Sequence, residues 1–263
     1  NELKLHRYDV AVITQKWWRS AMVAKFANIP QRIGFDDAPA KMFYTHTVPY
    51  PKDEHEIIRL LELVRPLGIE PEIIAPRIYP EQSHYGAADD FLNSLISNKI
   101  VGIAPGSAWK TKRYTKYPQL IRTLKDMNYI SICIGNEADN YLCDNIINDA
   151  DVGSYASKYT SNSILKTSAL LSRIPVLVAN DSGAGHIASA VGTPVITIYG
   201  PTVPEQGFYP WGKKNRIVQI SLDCQPCDAH GPNKCPLSHH KCMNDIEINR
   251  IVDNIIKIMD DIQ

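Results

Sequence analysis

Few architectures accommodate the segment Pro175–Thr202, PVLVANDSGAGHIASAVGTPVITIYGPT. Val176–Ala179 is a short apolar run of the kind that forms a fully buried strand. Asn180-Asp181-Ser182-Gly183 then gathers turn and cap residues. Asp181 or Ser182 is expected to cap a helix that begins near Ala184 and carries His186, Ile187 and Ala190. Gly192 suits the end of that helix, and Pro194 bars its continuation. Val195–Tyr199 reads as a second buried strand, closed by Gly200-Pro201. A strand–helix–strand unit this compact requires parallel strands. Ligands of open parallel sheets bind beyond the carboxyl ends of the strands, where Asn180–Gly185 and Gly200–Pro204 lie. Gly183 and Gly185 let a ligand approach the backbone, and the free N–H groups of the helix start favour an anion.

The same alternation runs through the chain. Tyr8–Thr14, Gln31–Phe35, Lys99–Ala104 and Tyr129–Ile134 read as strands. Trp18–Asn28, Asp53–Leu67, Tyr85–Ser97, Pro118–Met127, Ala138–Asn148 and Ile164–Leu171 read as helices. In the Asp53–Leu67 helix, Ile57, Leu60, Leu61 and Val64 fall on one face. Strands alternating with helices point to an α/β fold with a doubly wound parallel sheet. Pro71, Pro76 and Pro80 space out an extended linker, and 263 residues suffice for two domains, expected at 1–80 and 81–263. The formal net charge is zero, so no global field draws in nucleic acid, and any anion site must be local. No stretch is long and apolar enough to span a bilayer, and none reads as a secretory signal. The first residue is Asn1, so the chain is read as processed, truncated or partly described.

Three loops at strand ends carry chemistry. Pro105–Arg113, PGSAWKTKR, joins a flexible Gly106 and the Ser107 hydroxyl to Lys110, Lys112 and Arg113, a combination suited to clamping a diphosphate. Glu137 follows a strand end, where a carboxylate can accept from both ribose hydroxyls. Asn180–Gly185 supplies the anion-binding helix start. Together they read as a nucleotide-diphosphate site, and the absence of G-x-x-x-x-G-K-[ST] excludes a P-loop. Cys224, Cys227, Cys235 and Cys242 form C-x₂-C-x₇-C-x₆-C, with His230, His239 and His240 nearby. The loop is expected to be a local structural element remote from the nucleotide. It can hold a structural zinc or iron, or form two disulfides, although a chain without a secretory signal should keep its thiols reduced. Cys133 and Cys143 are expected in the core.

PGSAWKTKRY, IGNE and NDSGAGHIASAVGTPVITIYGPT, in this order and spacing, resemble the bacterial heptosyltransferases of glycosyltransferase family 9, and ITQKWWRSAMVAKFANIPQRIGF resembles the family's N-terminal domain. The resemblance implies a GT-B fold of two Rossmann-like domains facing a cleft. The N-terminal, acceptor-side domain would be incomplete here, and the C-terminal domain would bind the nucleotide sugar. It implies inverting transfer of a sugar, typically heptose from ADP-heptose, to the lipopolysaccharide inner core. Ser107 and Lys112 would then meet the donor diphosphate, Glu137 the ribose, and Asp181, Ser182, Gly183 and His186 the sugar and phosphates. Lys16, Arg19 and Arg32 would face the anionic acceptor. The family's general base lies in a segment expected before Asn1, and neither Asp36 nor Asp37 matches its position. No Asp-x-Asp pair is present, so no metal cofactor is required for transfer. The implied partners are a nucleotide-sugar donor and a glycolipid acceptor at the inner membrane surface, with no nucleic acid. The implied location is cytoplasmic, peripheral on the inner face of the membrane. Two other readings fit the same residues: a non-catalytic nucleotide-sugar-binding protein and a GT-B sugar-nucleotide epimerase.

Overall fold

A computed structural model describes residues 2–262. The chain divides into two compact units. The first comprises Asn1–Ile74 together with Glu205–Phe208, and the second comprises Ala75–Pro204 and Tyr209–Gln263. The division falls inside the proline-rich stretch, six residues before the boundary expected at 80, while the return of Glu205–Phe208 to the first unit has no local signal in the sequence.

The first unit holds a parallel sheet of three strands, β1 (Val10–Val12), β2 (Gln31–Phe35) and β3 (His46–Val48), in that order. Helix α1 (Glu2–His6) precedes β1, α2 (Trp18–Phe26) joins β1 to β2, and α3 (Glu56–Glu62) follows β3. Ile33 and Phe35, two residues apart on β2, point to one face and pack with Val48 and Leu63. Between them, a Cβ on Gly34 would lie 2.3 Å from the Tyr44 ring, so glycine is what lets that ring lie on the strand. β1, at the edge of this sheet, is partly open despite its apolar sequence, with Val12 40% exposed.

The expected helix over 53–67 is shorter. It runs as α3, capped by His55, and resumes as a 3₁₀ turn at Arg65–Leu67. Of the residues expected on its inward face Leu60 packs against the core, while the buried residues of the segment are His55, Arg59 and Leu63. The Arg59 guanidinium is enclosed by acceptors. It donates to the carbonyls of Pro51, Lys52 and Gln206 and to the Tyr50 hydroxyl, and it pairs with Glu56 at 3.3 Å. A buried cation is tolerated when its donors are satisfied in this way.

The second unit is a six-stranded, wholly parallel sheet built from β4 (Ile100–Ala104), β5 (Ile130–Gly135), β6 (Ala156–Thr160), β7 (Leu177–Asn180), β8 (Val195–Ile198) and β9 (Arg216–Val218). The strand order is β6-β5-β4-β7-β8-β9, the doubly wound order of dinucleotide-binding sheets. Period-two alternation sends strand residues to opposite faces. Val101, Ile103, Cys133, Val178 and Ile196 meet α5 (Tyr117–Asp126), α6 (Asn140–Ala150) and, near the C-terminus, the helix Ile248–Asp260. Ile100, Ile132, Ile134, Leu177 and Val195 meet α4 (Gln82–Asn93), α7 (Ile164–Leu171) and α8 (Gly183–Ala190). The short helix Lys241–Asn244 becomes α9, and Ile248–Asp260, which buries Ile251, Val252, Ile255 and Ile258, is α10. Cys133 and Cys143 lie in this core as expected. No described helix is long and apolar enough to cross a membrane.

Candidate functional site

The order of connection reverses between β4 and β7, and a sheet of this kind opens a crevice at the carboxyl ends of the strands there. In the second unit that crevice is a cavity of about 610 Å³, within the usual size for small-molecule sites. Ser107, Ala108 and Arg113 reach it from the loop after β4, and Ser182 and Gly183 from the loop after β7. Asn136 and Asp139 reach it from the loop after β5, and Ser161 and Asn162 from the loop after β6. Ala104, Ile134, Ile164 and Ile187 give it an apolar floor. Adjacent strands stand about 4.8 Å apart, so the loops after β4 and β6 are separated by about 10 Å. The loops after β4 and β7 thus form one end, with Arg113, and the loops after β5 and β6 the other, with Asn136, Asp139 and Asn162.

At the first end, α8 begins without the side-chain cap expected of Asp181 or Ser182. The Ser182 hydroxyl is buried and has no hydrogen-bond partner among the described residues. A Cβ on Gly183 would meet nothing within 4 Å, which leaves room at the helix start. Asp181 is instead committed elsewhere. Its Oδ2 accepts from Lys112 Nζ at 2.6 Å and from the Thr202 hydroxyl at 2.7 Å. The ion pair is nearly enclosed, with side-chain exposures of 11% for Lys112 and 13% for Asp181. Lys112 is not among the residues lining the cavity, whereas Arg113 is. The Arg113 guanidinium is held by donating Nε and Nη2 to the Ser107 carbonyl, at 3.0 and 2.8 Å. His186 stands exposed on the first turns of α8.

Asn180 fastens this end together. It is wholly buried, accepts at Oδ1 from Tyr114 N and from the Tyr117 hydroxyl, both at 3.0 Å, and donates to the Pro105 carbonyl at 2.8 Å. Burial pushes the Tyr114 phenol up to about 12 and Tyr117 well above the ordinary value, so both keep their protons at neutral pH. A residue that reads as a turn former is thus the knot between β7, the loop after β4 and the start of α5.

At the second end, Asn136 and Asp139 form a reciprocal capping box around the 3₁₀ turn Glu137–Asp139. A Cβ on Gly106 would lie 2.8 Å from the Asp139 carboxylate, and one on Gly135 would lie 2.7 Å from Asp139 Cβ. Glycine at 106 lets the β4 loop close on the β5 loop, and glycine at 135 lets the Asp139 side chain fold back on its own strand. Glu137 is exposed. Its Oε2 accepts from Asn162 Nδ2 at 2.7 Å, and its N–H donates to Asn162 Oδ1 at 3.2 Å.

The residues expected to face the acceptor lie in the first unit. Lys16 pairs with Asp37 at 2.7 Å and lies 3.1 Å over the Tyr50 ring. Arg32 donates to the carbonyls of Phe43, Ile29 and Pro30, a role in holding the loops around β2. Arg19 is exposed beside an apolar groove lined by Leu3, Trp18, Val23 and Phe26.

Cys224, Cys227 and Cys235 are half-buried and Cys242 is buried, all as free thiols. Among the described residues, no three His, Cys, Asp or Glu side chains are grouped to hold a metal ion, and no step is assigned to one. The Cys224–Cys242 loop touches the turn Lys110–Lys112. The Thr111 hydroxyl donates to the Pro232 carbonyl, His240 meets the Thr111 carbonyl at 2.7 Å, and a Cβ on Gly231 would lie 3.1 Å from Lys112 Cε. The loop therefore backs the turn that carries Lys112.

Arg113, expected in the clamp, lines the cavity, and so do Asn162 and Asp139, which the sequence does not mark. Arg113 sits in the basic run beside Lys112, but Asn162 and Asp139 carry no local motif.

A doubly wound parallel sheet with a cavity at its switch point defines a Rossmann-like α/β protein. The chain belongs to glycosyltransferase family 9 (heptosyltransferase), whose family model matches residues 1–236. It is 28% identical over 269 residues to lipooligosaccharide heptosyltransferase 2 of Campylobacter jejuni serotype O:2, an alignment covering 97% of this chain and 77% of that protein. It is 28% identical over 180 residues to the same enzyme of serotype O:6, covering 64% of this chain and 55% of that protein, little more than half its length. Its fold is similar to that of the Escherichia coli ADP-heptose lipopolysaccharide heptosyltransferase II structure, with a TM-score of 0.75 at 20% identity over 98% of this chain and 78% of that one.

Proposed function

We propose that the protein is a heptosyltransferase whose second unit binds ADP-heptose and whose acceptor is the lipopolysaccharide inner core, at a membrane surface. The observation that carries this is the cavity at the β4–β7 switch point, with Arg113 and a helix start at one end and, at the other, Asn162, which holds Glu137 beside the lining. Family membership and the heptosyltransferases it resembles support the sugar and the acceptor.

In the proposed reaction the acceptor hydroxyl attacks the anomeric carbon from the face opposite the diphosphate. The C–O bond to ADP breaks, the hydroxyl proton passes to a base, and the configuration inverts. Charge builds on the departing diphosphate. Arg113, the Lys112–Asp181 pair, the buried Ser182 hydroxyl and the amides at the start of α8 would stabilise it without a metal. The apolar floor of Ile134, Ile164 and Ile187 would take the base, and Glu137 the ribose hydroxyls. Of the three cations expected at the acceptor, Arg19 is exposed, Lys16 is paired with Asp37 at the surface, and Arg32 is committed to backbone carbonyls.

Calorimetric titration with ADP, UDP and GDP tests this reading. ADP should bind, and the other two should bind at least about tenfold more weakly, a difference of about 1.4 kcal/mol. No saturable binding of any of them would overturn the nucleotide reading, and preference for UDP or GDP would overturn the donor.

A further inference from the structure

We propose that Asn162 is a positioning residue for Glu137, holding its carboxylate in the orientation that accepts both ribose hydroxyls of the donor. This rests on the reading of the cavity as an ADP site. Glu137 is exposed on a short 3₁₀ turn, and an unrestrained glutamate there would sample many rotamers. Asn162 grips it at two points, donating to Oε2 at 2.7 Å and accepting from the backbone N–H at 3.2 Å. One amide thereby ties the far end of the side chain to its own backbone. Oε1 and a second lone pair on Oε2 remain to accept from a ligand.

The grip comes from a fixed support. Ser161 N–H donates to the Gly135 carbonyl at 3.1 Å, Ser161 Oγ accepts from Ser163 N–H at 3.1 Å, and Ser163 caps α7 by accepting from Lys166 N–H at 3.3 Å. The loop after β6 is thus pinned both to the end of β5 and to a helix, and Asn162 lines the cavity from it. A tie between two exposed polar side chains adds little to stability. Its consequence is the orientation of the carboxylate, because a side chain ordered before binding loses less freedom when the ligand arrives.

The test measures dissociation constants for ADP, 2′,3′-dideoxy-ADP and inorganic diphosphate in the wild type, Asn162→Ala, Glu137→Ala and the double variant. Asn162→Ala should weaken ADP by roughly three- to tenfold, the fold-change that follows from ordering one side chain. It should leave dideoxy-ADP and diphosphate unchanged, and it should cost nothing further in the Glu137→Ala background. Unchanged ADP affinity in Asn162→Ala, when Glu137→Ala weakens ADP, would overturn the positioning role alone. Equal losses for all three ligands would show a general structural effect and overturn it too, as would losses that add in the double variant. A wild type that binds none of the three would overturn the ADP site and this inference with it.

Discussion

Replacing Asn180 with alanine is expected to lower the stability of the second unit by about 3–5 kcal/mol. Its side chain satisfies three groups at once: the Tyr114 N–H, the Tyr117 hydroxyl and the Pro105 carbonyl. Asn180 and Tyr117 are wholly buried, so alanine strands these groups where water cannot replace the amide. Each buried polar group left without a partner costs about 1–3 kcal/mol. Asn180→Asp should be nearly as damaging, because it keeps the acceptor for the two tyrosines but sets a carboxylate oxygen against the Pro105 carbonyl. Hydrogen exchange at the β4 and β7 amides during urea titration would read the loss where it arises. A loss below about 1 kcal/mol for the alanine variant would mean that the network contributes no net stability.

Much of the second unit could be read from sequence because β4, β5, β7 and β8 are enclosed on both faces and therefore appear as continuous apolar runs. The edge strands could not. β6 is ASKYT and half-buried throughout, and β9 is RIV with one buried residue, so neither carries a clean pattern. The site divides in the same way. Local chemistry marked Ser107, Ser182, Gly183 and Glu137 on loops that could be recognised as strand ends. Partnerships across the sheet stayed hidden: Lys112 meets Asp181 69 residues away, and Glu137 meets Asn162 25 residues away. Asn180 reads as a turn former because its three partners come from distant segments.

Lys112→Ala should have two separable effects. It removes the counter-ion of a nearly enclosed Asp181, leaving that carboxylate with the Thr202 hydroxyl, and breaking a buried pair on one side typically costs about 3–5 kcal/mol. It also leaves an uncompensated negative charge one residue before Ser182, at the cavity end proposed to take the diphosphate. ADP should therefore bind roughly ten- to a hundredfold more weakly. Adding Asp181→Asn removes the stranded charge, so the double variant should recover most of the stability and part of the affinity. If Lys112→Ala matched the wild type in both unfolding and ADP titration, the pair would have neither role. If the double variant were no better than the single one, charge compensation would not be the reason for the pairing.

The central claim is that the β4–β7 switch point is a nucleotide-sugar donor site, and a crystal structure of the protein with ADP tests it most directly. The account predicts the diphosphate at the start of α8, within hydrogen-bonding reach of the Ser182 hydroxyl and Arg113, the ribose hydroxyls on Glu137, and the base over Ile134 and Ile164. ADP bound away from the β4 and β7 loops, or bound there with its diphosphate at the Glu137 end, would contradict it.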